Sequence, residues 1–385
     1  MNRAKVKRHV KIVCTLGPAS STPDVIERML KAGMDVARFN LSYGTLEEHS
    51  LSISEVRSLS QKLKLPVGIL LDLPGLKHYS GDVKAIFSQH LEFAQSQSVD
   101  FVALSFISSA RQVKEVKSLI RKMNADIPVI VKIEDSRSIE ESGAMLGIGE
   151  GIMVARGDLA LEISIEKVPW AQKQLIKEAN RHGKPVITAT QMLESMVRSP
   201  APTRAEATDV FNAVLDGSDA LMLSEETATG SYPVEATEMM ARIALEAEAM
   251  LPYEQIFHER WQDVLPEVSD ATARAACQMA YHVQARAIVA FTTGGTTASR
   301  VSKYRPRQPI IAVTSSETVM RRLSLAWGVF SASRPEPSSM EEVFELARQV
   351  VLETGIARKG DLIVITAGLP LALPGSTNLV KIHSV

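Results

Sequence analysis

At 385 residues, with 45% hydrophobic content and a formal net charge of −1, the chain is long enough for two domains with substantial cores. The absence of a broad basic excess argues against nucleic acid as the main partner. No run approaches the roughly 20 apolar residues of a membrane span, and the basic start MNRAKVKRHV has no apolar stretch long enough for a secretory signal. Cys14 and Cys277 lie far apart and are expected as buried free thiols, so the bounds point to a soluble cytoplasmic protein.

From Val10 to about Met250 the pattern is strand, loop, helix, repeated. The strand candidates are KIVCTL, VARFNLS, VGILLDL, FVALSFI, PVIVKIE, GIMVAR, PVITATQ and DALMLSE, with amphipathic segments such as TPDVIERMLKAG between them. Eight such units predict a closed (β/α)8 TIM barrel, whose doubly covered strands read as unbroken apolar runs and whose active site lies at the carboxyl ends of the strands. The second strand carries Arg38, Asn40 and Ser42 at alternate positions, expected on one face. A guanidinium there suits a phosphate or carboxylate, and it equally suits an ion pair inside the barrel. The third strand ends at Asp72.

The stretch from Pro128 to Asp158 is the most informative. PVIVKIED and GIMVARGDLALEI each end in charge, with Lys132 and Glu134, then Arg156 and Asp158, two residues apart. On strands each pair points to one side. Two carboxylates on neighbouring strand ends, beside lysine and arginine, suit a divalent cation and an anionic substrate, and they also fit a pair of rim salt bridges. Gly157 and Asp158 open a short helical stretch whose free amides are expected to face the site. The seventh strand gives Thr188 and Thr190. The following loop is long, with Thr203 as a predicted helix cap, and the eighth strand ends with Ser224 and Glu226.

Periodicity fails over residues 251–269, read as a connection with at most a helical turn. Alternating helix and strand patterns over 270–385 predict a three-layer α/β domain on a parallel sheet, closed by NLVKIHSV as an edge strand. The turn TTGGTTA, Thr292 to Ala298, suits a phosphate cradle or an ordinary tight loop.

Together KIVCTLGPAS, GMDVARFNLSYG, VKIED, GIMVARGDLALEI, KPVITATQMLESMVRSPAPTRAEATDV and LMLSEETATGSYPVEA resemble the pyruvate kinase family, in the family's order and over nearly the whole chain. The resemblance implies Mg²⁺ (or Mn²⁺) on Glu134 and Asp158. It implies Lys132 and Arg38 against the transferring phosphate, and Asn40, Ser42 and Asp72 around a monovalent-cation (K⁺) site. Gly157, Asp158 and Thr190 would bind substrate, and Thr190, Ser224 and Glu226 would position it and help protonate the enolpyruvate carbon. It further implies phosphoenolpyruvate and pyruvate as ligands, ADP and ATP as nucleotides, and a homo-oligomer, dimer or tetramer.

The chain departs from that pattern after Asp72. The family's inserted lid domain is reduced to about 76–83, within a barrel domain expected over 1–250. Tyr79 stands where the family carries an arginine, Pro74 and Leu76 also differ, and Lys77 falls where a lysine in some members replaces the K⁺. Glu225 replaces a common glycine. Three functions are therefore expected in descending order: a lidless pyruvate kinase; a Mg²⁺-dependent lyase or tautomerase acting on a 2-oxo acid through a pyruvate enolate, as in oxaloacetate decarboxylation; and a non-catalytic regulatory homologue.

Overall fold

The computed structural model describes residues 8–75, 83–260, 265–371 and 375–385. Leu76, Lys77 and Tyr79, and with them most of the expected lid remnant, lie outside the described residues. The described chain forms two compact units, Val10–Ala247 and a C-terminal unit running from Glu248 to Val385 that also includes Arg8 and His9. The last assignment differs from the sequence reading, which placed the start of the chain in the barrel. Its cause is local: the His9 amide donates to the Glu248 carboxylate at 2.9 Å, and the His9 ring stacks on Trp327 at 4.5 Å.

The first unit is a closed barrel of eight parallel strands. They are β1 (Lys11–Thr15), β2 (Val36–Asn40), β3 (Gly68–Leu73), β4 (Phe101–Leu104), β5 (Val129–Ile133), β6 (Gly151–Ala155), β7 (Val186–Ala189) and β8 (Ala220–Leu223). Each pairs with the next, and β8 closes on β1 through Lys11 opposite Ala220 and Cys14 opposite Leu223. Nearly every strand residue is buried, which is why each reads as an unbroken Val, Ile, Leu and Ala run. At the start of β6 a side chain on Gly151 would meet the Pro185 carbonyl at 2.7 Å, so only glycine allows that backbone approach. Helix starts are set by hydroxyl caps. Thr45 and Thr203 each accept from the amide three residues on, while Glu48 and Glu206 reach back to the cap amides.

The C-terminal unit carries β9 (Ile288–Phe291), β10 (Ile310–Thr314), β11 (Val329–Ser333), β12 (Leu362–Gly368) and β13 (Thr377–Ser384) in the order β11-β10-β9-β12-β13. All pairs are parallel except β13, which runs antiparallel at the edge. Alternate residues feed opposite cores: Ile288 and Ala290 pack on one face, Val289 and Phe291 on the other. That alternation makes the three layers. The stretch read as an irregular connection holds an eight-residue helix, Tyr253–Arg260. Both cysteines are buried and free, as expected.

Candidate active site at the carboxyl ends of the barrel strands

Four buried charged side chains form a continuous chain across β2, β3 and β5. Arg38 donates through Nε and Nη2 to Oδ2 of Asp72, at 3.0 and 2.6 Å, and through Nη1 to Thr15 Oγ1 at 2.8 Å. Lys132 Nζ stands 3.4 Å from the same Asp72 oxygen and 2.8 Å from Oε1 of Glu134. No side chain of the four is more than 11% exposed. The interior ion pair and the phosphate contact left open for Arg38 coexist. Three of its five N–H donors are committed within the barrel, and two remain.

Burial works against the charge on Lys132, but Asp72 and Glu134 outweigh it and hold its pKa above the usual lysine value. Lysine at this position is therefore a fixed positive charge, not a base. Burial likewise opposes ionisation of Asp72, yet Lys132, Arg38 and the Ser105 hydroxyl together hold its pKa below the ordinary aspartate value. For Glu134 burial prevails over Lys132 and the Phe106 amide, and its pKa is raised.

Glu134 Oε2 accepts the amide of Phe106, and Oε1 faces Lys132 Nζ at 2.8 Å. A carboxylate oxygen has two lone pairs, and Lys132 is the one cation against this one among the described residues, so a lone pair remains for another electrophile. On the neighbouring strand the register sets Ile133 opposite Val154, so Glu134 follows alongside Ala155. Asp158 lies three residues further on, half-buried in the first turn of the helix Arg156–Glu162, and its carboxylate makes no hydrogen bond or ion pair among the described residues. A buried Glu134 just past the end of β5 and an unengaged Asp158 carboxylate in the helix after β6 are donors of the kind Mg²⁺ takes, since it uses one or two protein carboxylates and completes its shell with water and substrate oxygens. Among the described residues no group of three or more His, Cys, Asp or Glu gathers as a metal cage.

Several expected placements change. Arg156 and Asp158 do not share a strand face, because β6 ends at Ala155 and the helix begins at Arg156, ending the period of two. Arg156 turns over the end of β7 instead, donating to the carbonyls of Ala189 and Thr190 at 3.1 and 2.7 Å and pairing with Asp209 at 2.7 Å. Ser42 is not on β2 with Arg38 and Asn40. It lies exposed in the turn beyond, where its amide donates to Asn40 Oδ1 at 3.1 Å. Asn40 stands opposite Asp72 in the strand register, and Ser42 follows in the turn just beyond.

Thr190 lies past the end of β7 with φ +67°, followed by Gln191 at +53°, a left-handed pair without glycine. Its hydroxyl accepts the Gly157 amide at 2.7 Å and donates to the Ala189 carbonyl at 2.7 Å. It does not bond to Ser224. The Ser224 hydroxyl is buried without a partner among the described residues, at the start of the helix Glu225–Ala228. Glu226 is buried and accepts the amides of Leu193 and Ser224, at 3.0 and 2.7 Å, tying the β7 loop to the end of β8. Thr188 bonds to Ser218 inside the barrel and takes no part in the site. Ser105, Phe106 and Thr15 are contributors that sequence reasoning missed. A single serine after the apolar FVAL offers no pattern to detect. In the C-terminal unit, the Thr292–Ala298 turn borders a cleft with Thr314, Arg334 and Glu336, where Thr292 Oγ1 accepts the Gly295 amide at 2.9 Å.

A closed (β/α)8 barrel with its charged cluster at the carboxyl ends of the strands, followed by an α/β unit, defines a two-part barrel protein with a cation-compatible site. Comparison with known proteins supplies the family. The description "Pyruvate kinase, barrel domain" matches residues 7–86 and 82–237, and "Pyruvate kinase, alpha/beta domain" matches 270–383. The chain belongs to the pyruvate kinase family. It is 38% identical to a pyruvate kinase of Bacillus licheniformis, over 98% of this chain and 80% of the relative. It is 37% identical to one of Geobacillus stearothermophilus, over 99% and 81%. Those alignments run over 472 and 474 positions against 385 residues here, and the two barrel matches meet at 82–86, just after β3. The lid insertion is absent. No helix among the described residues is long and apolar enough to cross a membrane.

Proposed function

We propose that this chain transfers the phosphoryl group of phosphoenolpyruvate to ADP, giving pyruvate and ATP, with Mg²⁺ (or Mn²⁺) held by Glu134 and Asp158. The observation that carries the reading is the Lys132 ammonium fixed 2.8 Å from a buried Glu134 whose contacted oxygen keeps a lone pair, with the unengaged Asp158 carboxylate in the helix that follows the neighbouring strand. A divalent cation bound there supplies positive charge to substrate oxygens. Phosphoryl transfer otherwise needs positioned positive charge, and Lys132 with the two uncommitted N–H donors of Arg38 provides it. Thr190, with its hydroxyl committed to Gly157 and Ala189, shapes the substrate side. Ser224, buried without a partner, is the hydroxyl able to hand a proton to the enolpyruvate carbon. Glu226 positions Ser224 through its amide.

A coupled assay with Mg²⁺, phosphoenolpyruvate and several nucleoside diphosphates tests this. Pyruvate and ATP are expected to form in step and to fall by about 10²- to 10³-fold in Lys132→Ala. Turnover no greater than in that variant refutes the proposal.

The missing lid favours a second reading, since the half of the site suited to a pyruvate enolate is present while the element that closes over the phosphates is not. In that reading the chain is a lyase or tautomerase on a 2-oxo acid, and solvent exchange at the pyruvate methyl group with Mg²⁺ and no nucleotide distinguishes it. Asp72 is already neutralised by Arg38 and Lys132, so we infer a weak K⁺ requirement. We infer a cytoplasmic homo-oligomer from the family.

A further inference from the structure

We propose that Ser105 is a positioning residue, whose hydroxyl acts as a spacer keeping the Lys132 ammonium closer to Glu134 than to Asp72. The proposal rests on the phosphotransfer reading above, in which Lys132 steadies the group in flight.

The geometry begins with strand order. Asp72 lies on β3 and Lys132 on β5, and these strands do not touch. Between them runs β4, with Asp72 opposite Ala103 and Leu104 opposite Val131. Ser105 is the first residue beyond β4 and is 5% exposed. Its hydroxyl donates to Asp72 Oδ1 at 3.0 Å and accepts from Lys132 Nζ at 2.8 Å.

Chemistry fixes both directions. A carboxylate only accepts and an ammonium only donates, so the single serine proton goes to Asp72 and a serine lone pair goes to Lys132. Asp72 and Lys132 are thereby satisfied through an intermediary and stay 3.4 Å apart, while Lys132 approaches Glu134 to 2.8 Å. The next residue works the same cluster. Phe106 is left-handed at φ +54°, and its amide is aimed at Glu134 Oε2. Its ring fills the space that a side chain on Gly75 would need, with Cδ2 only 2.3 Å from that position.

Removing the hydroxyl frees Asp72 Oδ1 and leaves a buried ammonium short of one acceptor. Lys132 then moves onto Asp72, the nearest vacated carboxylate oxygen, and leaves Glu134. A displacement on the order of 1 Å within a reacting geometry costs up to about 100-fold in rate.

The test uses the full chain with Mg²⁺, phosphoenolpyruvate and ADP. Ser105→Ala is expected to lower kcat by about 10- to 100-fold. KM for phosphoenolpyruvate should change far less, and Ser105→Thr, which keeps the hydroxyl, should recover most of kcat. In a Lys132→Ala background, Ser105→Ala should add no further loss, since the spacer acts only through Lys132. A wild-type kcat in Ser105→Ala, or an equal further loss on top of Lys132→Ala, overturns the proposal.

A second measurement does not depend on turnover. In protein labelled with ¹⁵N-lysine, the Lys132 ammonium resonance is identified by its loss in Lys132→Ala. It should shift in Ser105→Ala and hold its place in Ser105→Thr. If the wild type turns nothing over, the function reading fails while this resonance still decides the role of Ser105. An unmoved resonance in Ser105→Ala refutes that role whatever the activity.

Discussion

Arg38 and Asp72 form a buried ion pair, with Nη2 2.6 Å from Oδ2, on neighbouring strands where Asn40 stands opposite Asp72. Asp72 also faces Lys132, so one carboxylate balances two cations. Asp72→Asn therefore leaves two buried positive charges short of a partner, whereas Arg38→Met leaves Asp72 with Lys132. Breaking a buried pair by removing one member costs about 3–5 kcal/mol. Asp72→Asn is expected in that range and Arg38→Met clearly below it, measured by urea unfolding of both variants. The reverse order would mean that Lys132 does not share Asp72.

The two carboxylates of the cluster impose opposite pH dependences. Asp72 has its folded pKa below the reference value of 3.8, so its contribution to stability is complete above that pH and is lost as the pH falls through the lower folded value. Glu134 is raised above 4.5, so its contribution is present below that pH and is lost as the pH rises through the folded value. In chelator, the stability of Glu134→Gln relative to wild type should rise as the pH climbs above 4.5. The deficit of Asp72→Asn should shrink only in acid. Because a metal needs the ionised carboxylate, Mg²⁺ binding followed by calorimetry should tighten with rising pH and release protons.

Much of this arrangement was legible from the chain. The eight barrel strands are short Val- and Ile-rich runs because helices cover one face and the barrel interior the other, and each run became a strand. Lys132 and Glu134 were readable as partners because both ride on β5 or its immediate end, where the period of two holds. Arg156 and Asp158 failed the same test because the strand stops at Ala155, and a boundary shift of a single residue replaces a strand period with a helical one. Ser42 failed for a related reason: an Asn side chain can capture the amide two residues on, and Asn40 does so, turning the chain off the strand. The left-handed Thr190 was invisible because a β-branched residue is the last choice for that conformation. Its hydrogen bonds to Gly157 and Ala189 hold it there, aided by Arg156 on its carbonyl.

That strained threonine gives a sharper expectation. Thr190→Val keeps the branched shape and removes only the hydroxyl, leaving the Gly157 amide without its acceptor. An unsatisfied buried donor costs about 1–3 kcal/mol. The variant should lose stability in that range and lose turnover as well, and Thr190→Ser should restore both. Parallel thermal unfolding and coupled assays check this. Full activity in Thr190→Val would show that the hydroxyl serves only the backbone.

The absent lid bears on nucleotide and water together. With the lid absent, charged contacts to the proposed nucleotide would be exposed and screened, so their energy should fall steeply with salt. If the proposed function holds, KM for ADP is expected to be high and to rise strongly between low and physiological ionic strength, while KM for phosphoenolpyruvate, proposed to bind beside the buried Arg38 and Glu134, should change little. Closure also excludes water from a reacting phosphoryl group. Without it, water competes with ADP, converting phosphoenolpyruvate to pyruvate and inorganic phosphate. Measured side by side, pyruvate should exceed ATP, with the excess matched by phosphate and greatest at low ADP. Strict equality of pyruvate and ATP at every ADP concentration would mean that some other part of the protein, such as a second copy, seals the site in the lid's place.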